Sequence, residues 1–172
     1  MSRAWIGAAV LLPLCGPATA QSGETAKASL VDAKGATVGT ATLTQTPSGV
    51  LVDLEVKGLL AGEHALHVHQ VGQCDAAGGF KSAGDHFSVG TQKHGFMTEG
   101  GPHAGDMPNI FVGETGSARA EMLQAGISLK DGATSVFDAD GSALVIHANS
   151  DDHHSQPSGA AGDRIACGVI VR

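Results

Sequence analysis

The chain has no tyrosine, one tryptophan and five phenylalanines, an aromatic share of 3%. A core built around stacked rings is therefore excluded, and Val, Leu, Ile and Ala must fill it. Basic residues are also scarce, with Lys and Arg totalling 10 against 17 acids and a formal net charge of -7. That balance leaves no basic footprint for phosphates, so nucleic acid is not an expected partner. The longest apolar stretch, 5–14, is too short to span a bilayer. No repeat, low-complexity tract or linker divides the 172 residues, so one domain is expected.

The first twenty residues, MSRAWIGAAVLLPLCGPATA, have the layout of a secretory signal peptide. Arg3 supplies the positive start, 5–14 the apolar middle, and Ala18-Thr19-Ala20 a small-residue cleavage signal, placing the cut after Ala20. A membrane anchor lacks a stop-transfer pattern here, and lipoprotein cleavage before Cys15 fits poorly with the large Leu14. The mature domain, 21–172, loses Arg3 and no acid, so its charge moves from -7 to -8. Export leads to an oxidising compartment, the periplasm or the extracellular space, where the two remaining cysteines, Cys74 and Cys167, are expected to form one disulfide. The competing reading, two thiolate metal ligands, lacks a nearby CxxC partner.

Glycine is abundant, at 25 residues, which favours short strands joined by turns over long helices. Period-two alternation marks strands over 28–31, 37–44, 50–56 and 64–69; strand texture returns over 117–123 and 143–148, and 164–171 reads as a closing core strand. Turn residues separate the early ones, as in Asp32-Ala33-Lys34-Gly35 and Thr46-Pro47-Ser48-Gly49. Two Gly-rich excursions, 70–109 and 149–163, interrupt the pattern. Loops of that length inside a compact domain are usually functional. About eight strands with two long loops make an all-β sandwich or flattened barrel.

The histidines are the chemistry-bearing set. In EHALHVHQ, residues two apart share a strand face, so His67 and His69 form a pincer for one metal ion. His64, an odd number of residues away, lies on the other face and reads as a supporting residue. The first excursion adds His86, His94 and His103, with Asp106 three residues after the last. Three imidazoles and a carboxylate suit a four-coordinate zinc ion. His147 closes the strand ALVIH and offers a further imidazole to the pincer, and an imidazole-rich tetragonal set suits copper. His153 and His154 follow an acidic stretch and read as surface residues.

The motifs GEHALHVH, SAGDHF, KHGF, GPHAGDMPN, ALVIH and GAAGDRIACGVI, in that order, resemble the copper/zinc superoxide dismutases in their exported bacterial form. The resemblance implies a Greek-key eight-stranded β-sandwich, one copper and one zinc per subunit, and dismutation of superoxide to dioxygen and hydrogen peroxide by Cu(II)/Cu(I) cycling. Carried over by position, the copper ligands are His67, His69, His86 and His147. The zinc ligands are His86, His94, His103 and Asp106, with His86 bridging both metals. Asp151 matches the carboxylate that joins a copper-bound imidazole to a zinc-bound one, Arg164 the arginine beside the copper, and Cys74 and Cys167 the family disulfide. The family includes dimers and monomers, so a homodimer is compatible with it. A non-catalytic copper/zinc carrier of the same fold is the alternative function. Focusing of the anion is expected from Arg164 with Lys81 or Lys93. The sequence departs from the usual pattern at Ala65, Leu66, Gln70 and Ser88-Val89, none of them a ligand position.

Overall fold

The computed structural model describes Met1 and residues 23–172. The expected leader, its cleavage after Ala20 and Cys15 lie outside the described residues.

Three hairpin-linked strands open the fold: β1 (Thr25–Asp32), β2 (Thr37–Thr46) and β3 (Gly49–Val56). Ala26, Ala28 and Leu30 of β1 and Val50, Val52 and Leu54 of β3 point inward at every second position, as their alternation requires. The register of β1 on β2 shifts between Leu30 and Val31, leaving Val38 as the extra residue, so that neighbouring Val38 and Gly39 are both buried.

The chain then crosses to the far edge through β4 (Gly62–His64) and β5 (Leu66–His69), and returns by way of β6 (Ile110–Val112) and β7 (Ala118–Gln124). It ends with β8 (Ala143–His147) and β9 (Arg164–Val171). All named pairings are antiparallel, in a seven-stranded sheet of order β5-β8-β9-β1-β2-β3-β7 and a two-stranded sheet of β4 and β6. Because β4 runs into β5 and β6 packs near β7, the small sheet draws the two edges of the large one together. The expected strand 64–69 is broken at Ala65, and 110–112, which follows the excursion 70–109 and is not among the expected strands, forms a short one. Counting β4 and β5 as one bent strand, the nine strands among the described residues become eight.

The main core lies inside the curl, where Leu30, Leu43, Leu54, Leu66, Leu144 and Ile146 are fully buried. A smaller cluster of Phe80, Ala83, Ala143, Val145 and Cys167 lies on the other face of β8, under the first excursion. The Cys74–Cys167 disulfide, with Cα atoms 5.6 Å apart, fastens that excursion to β9. In the chain-entropy picture a closed loop of this length stabilises the fold by about 4–5 kcal/mol.

Candidate metal centre

The four residues of β5 are all buried, yet its two faces meet different surroundings. Leu66 and Val68 enter the main core. His67 and His69 project from the opposite face, across from Val145 and Ala143 of β8. Period two places His147 on that same face, at the end of β8, where a register shift sets it opposite Arg164 of β9. Three adjacent strands thus deliver His67, His69, His147 and Arg164 to one end of one sheet face.

The first excursion covers this face by using the free edge of β5. Val68 donates its N–H to Gly105 O at 2.9 Å, and Phe87 donates to Val68 O at 2.8 Å. His86 thereby bridges to His69 and Asp106 to His67. A side chain at Gly105 would strike Val68 O and lift the loop away, so glycine is required there.

The ligating atoms fall into two overlapping groups, each within 4.8 Å of one another: His67, His69, His86 and His147, and His67, His86, His94 and Asp106. Hydrogen bonds show which nitrogen of each ring is engaged by the protein. His67 Nε2 faces Asp151 Oδ2 at 2.9 Å, His69 Nδ1 faces Gly84 O at 2.9 Å, and His147 Nδ1 faces Gly162 O at 3.3 Å. Their other nitrogens face inward, and His69 Nε2 lies 3.4 Å from His147 Nε2. On the second side, Nδ1 of His86, His94 and His103 lie 2.7, 3.1 and 3.4 Å from the single oxygen Asp106 Oδ1. His103, absent from both tight groups, therefore converges on the second cluster all the same. His67 belongs with the first, because its Nε2 is taken by Asp151.

The pattern of unpartnered atoms fits two metal ions. Among the described residues, the buried side-chain atoms without a hydrogen-bond partner include His67 Nδ1, His86 Nε2 and His103 Nδ1, and a buried polar atom left so is costly unless something occupies its lone pair. His86 alone presents one nitrogen to each cluster.

Burial dominates the titration of the first cluster. It pushes His67 down to about 4 despite the Asp151 hydrogen bond, and His147 down to about 3 with help from the charge of His67. His69 and His86 are lowered for the same leading reason. These rings are neutral at pH 7, the form that ligates a metal. His94 behaves oppositely: burial would lower it, but carboxylates on both nitrogens raise it to about 9. Burial alone would raise the Asp106 and Asp151 carboxyls. Imidazoles of His86 and His94 on Asp106, and of His67 and His94 on Asp151, together with backbone N–H groups, hold both well below the usual range.

A cleft of about 470 Å³ opens onto this centre, lined by Gln70, Asp85, His86, His147, Pro157 and Arg164 among others. Arg164 is fixed by donating Nη1–H to Phe80 O at 2.8 Å and Nη2–H to Gly84 O at 2.7 Å. Gly84 O thus serves both Arg164 and His69. Neither Lys81 nor Lys93 lines the cleft, and both are exposed elsewhere. The charged neighbour of Arg164 in the cleft wall is Asp85, an acid that the sequence reading did not single out.

His64 sits in the supporting place expected of it, with ring nitrogens 2.7 Å from His147 O and 2.9 Å from Leu60 O. His154 is exposed, as expected of a surface residue. His153 is not: it is half-buried, its ring 5.1 Å from that of Phe96 and its Nδ1 3.5 Å from Asp151 Oδ2. Sequence reasoning also missed three amides. Gln124 donates to Asp106 O at 2.6 Å, while Asn109 and Gln156 bond the main chain at Asp151 and His94. Asn109 and Gln156 stand at loop positions and Gln124 at the end of β7, so none carries a periodic signal that would have marked it.

The copper/zinc superoxide dismutase family model matches residues 37–170. Superoxide dismutase [Cu-Zn] 1 of Aquifex aeolicus is 48% identical over 145 residues, covering 83% of this chain and 85% of that protein. Superoxide dismutase [Cu-Zn] of Caulobacter vibrioides is 48% identical over 139 residues, covering 79% of each. Among solved structures, a SOD-like protein from Bacillus subtilis superposes with a TM-score of 0.80 at 33% identity, covering 84% of this chain and 97% of that one. The order of motifs, the curled antiparallel sheet and the paired histidine clusters agree with these matches, and the chain belongs to the copper/zinc superoxide dismutase family.

Proposed function

We propose that the protein dismutates superoxide, converting two superoxide anions and two protons to dioxygen and hydrogen peroxide. His67, His69, His86 and His147 hold copper, and His86, His94, His103 and Asp106 hold zinc. The observation that carries this reading is the placement of His86, with Nδ1 2.7 Å from Asp106 Oδ1 and Nε2 buried and unpartnered on the side of His67, His69 and His147. When bound, copper supplies one-electron chemistry, while zinc is redox-inert and supplies charge. His86 Nε2 is the atom suited to hold a proton and pass it to the reduced anion. Asp151 orients His67 and His94 through their outer nitrogens, fixing ring tautomer and direction. Arg164 spends part of its fork on Phe80 O and Gly84 O, and its permanent charge holds the small anion in the cleft. The leader over residues 1–20 directs export to the periplasm, in keeping with the Cys74–Cys167 disulfide.

The test joins elemental analysis of the purified chain to direct measurement of superoxide decay. One copper and one zinc per chain with rapid decay is the expected result. Both metals bound without activity would favour the copper/zinc carrier.

A further inference from the structure

The two excursions meet at the contact between Asp151 and His94, whose Oδ1 and Nε2 are 2.9 Å apart. Each excursion also reaches across to hold the main chain of the other at that very residue. From the first, Asn109 accepts the Asp151 N–H on Oδ1 at 2.8 Å and donates Nδ2–H to Asp151 O at 2.9 Å. From the second, Gln156 accepts the His94 N–H on Oε1 at 3.0 Å and donates Nε2–H to His94 O at 2.8 Å. The clamped residues lie 42 and 62 positions from their clamps, so chain connectivity does not impose either contact.

We infer that Asn109 and Gln156 are a crossed pair of positioning residues, which set the Asp151 carboxylate between His67 and His94 and so make zinc retention and the copper-side ring one coupled unit. An amide that satisfies both main-chain groups of one residue fixes its translation and its rotation. A carboxylate whose oxygens must meet His67 Nε2 and His94 Nε2, both at 2.9 Å, needs both fixed. The surroundings are built to the same end. Gly159 adopts φ +68, and a side chain there would strike Asp151 Oδ1. Gly95, beside His94, packs its backbone on His153 O, and Met97 N–H donates to that same oxygen at 3.0 Å. Gln156 also donates to His154 O at 3.0 Å and is followed by Pro157 and Ser158 of the cleft wall, so displacement of the clamp would reach the anion's path.

The inference rests on the reading of His94 as a zinc ligand. The experiment measures zinc affinity of the full chain by competition with a chromophoric chelator, and the visible spectrum after cobalt(II) replaces zinc. Asn109→Ala is expected to weaken zinc binding about tenfold and Gln156→Ala, whose side chain is more exposed, about threefold, the range expected of outer partners and single hydrogen bonds. Both should shift the cobalt bands, and Gln156→Asn should not restore them, because its shorter arm misses the His94 main chain. The deciding comparison repeats Asn109→Ala in an Asp151→Asn background. If the clamp acts through the bridge, its effect there falls below about twofold, since contacting residues are not additive. An unchanged tenfold loss in that background, or parental affinity and spectrum in the single variants, overturns the inference. Retained slow amide exchange across β1–β3 checks that each variant keeps its barrel. His94→Ala separates the two failures: retention of zinc there refutes the zinc assignment itself, whereas loss of zinc there beside silent clamp variants refutes only the crossed clamp.

Discussion

Leu66 and His67 are neighbours on one strand and both fully buried, yet they are buried for opposite purposes. On the inner face of β5, Leu66 and Val68 ask nothing of their surroundings but close contact. On the outer face each imidazole arrives with one nitrogen tied to a fixed oxygen, of Asp151, Gly84 or Gly162, and the other left over. Burial makes the first face stable and the second one reactive. The rigidity of the inner face is what allows loops to position metal-binding groups on the outer one.

The largest effects come from crossing the two faces. His67→Ala should abolish copper retention and lower superoxide turnover by ~100-fold or more, at or beyond what loss of an outer partner costs, with little loss of stability in the metal-free chain. Leu66→Ala should cost about 2–5 kcal/mol of unfolding free energy, while turnover per bound copper stays within about twofold of the parent. Calorimetry, metal analysis and superoxide decay on both variants read the contrast directly. A Leu66→Ala chain that folds as firmly as the parent but fails to turn over would break it.

Acid should act on the outer face alone. In the metal-free chain His67 and His147 titrate near 4 and 3, below the ordinary imidazole value of 6.5. The unfolded chain therefore binds more protons as pH falls below 6.5, and stability is lost from there down through 4 to 3. His94, raised to about 9, has the opposite sign: its contribution is complete below 6.5 and fades as pH rises through 9. Metal-free stability measured by denaturant titration should peak between these limits. Bound metals should suppress the acid loss until protons displace them. A flat profile from pH 7 to 4 in the metal-free chain would contradict the burial of neutral rings.

The inner face was far more legible in sequence than the outer one. Alternation over 28–31, 37–44 and 50–56 marks β1, β2 and β3 because a half-buried strand must alternate. The same logic gave His67 and His69 a shared face and set His64 apart. It ran out at Ala65, where the strand breaks so that His64 can pair with Ile110 of a separate small sheet. It ran out again in the excursions, where position depends on contacts across tens of residues. Residue chemistry there marked His86, His94, His103 and Asp106 as a zinc-type set, while the bridging place of His86 and the role of Asp151 came from family resemblance. Nothing in spacing marked Asn109, Gln156 or Gln124, whose amides act on main-chain atoms and leave no pattern.

Removing the charge that faces the outer cluster should have an intermediate effect. Arg164→Ala is expected to lower the rate constant for superoxide about tenfold, within the range that local fields contribute to association of charged substrates. The parent rate should fall as ionic strength rises, and the variant should respond less. Because Lys81 and Lys93 are exposed and outside the cleft lining, their replacement by Gln should change the rate by less than about twofold at moderate salt, which screens exposed charges. Equal salt dependence in the parent and Arg164→Ala would remove the arginine from anion capture.

Among the histidines, the smallest effect is expected where the two faces meet. His64 ends β4, with only Ala65 between it and the start of β5, and its ring spans from Leu60 O to His147 O without presenting a nitrogen to either cluster. Its influence on copper must pass through the main chain of His147, whose ring is separately held by Gly162 O. His64→Gln keeps a donor able to satisfy one of the two carbonyls and leaves the other to a net loss of about 0.5–1.5 kcal/mol. Copper affinity should accordingly fall less than about threefold, against the loss of retention at His67→Gln. The copper(II) spectrum should shift only at the His147 ligand. If His64→Gln instead matches His67→Gln in copper loss, the joint at Ala65 transmits strain into the cluster, and the separation between the two kinds of histidine in this strand is not the one the fold suggests.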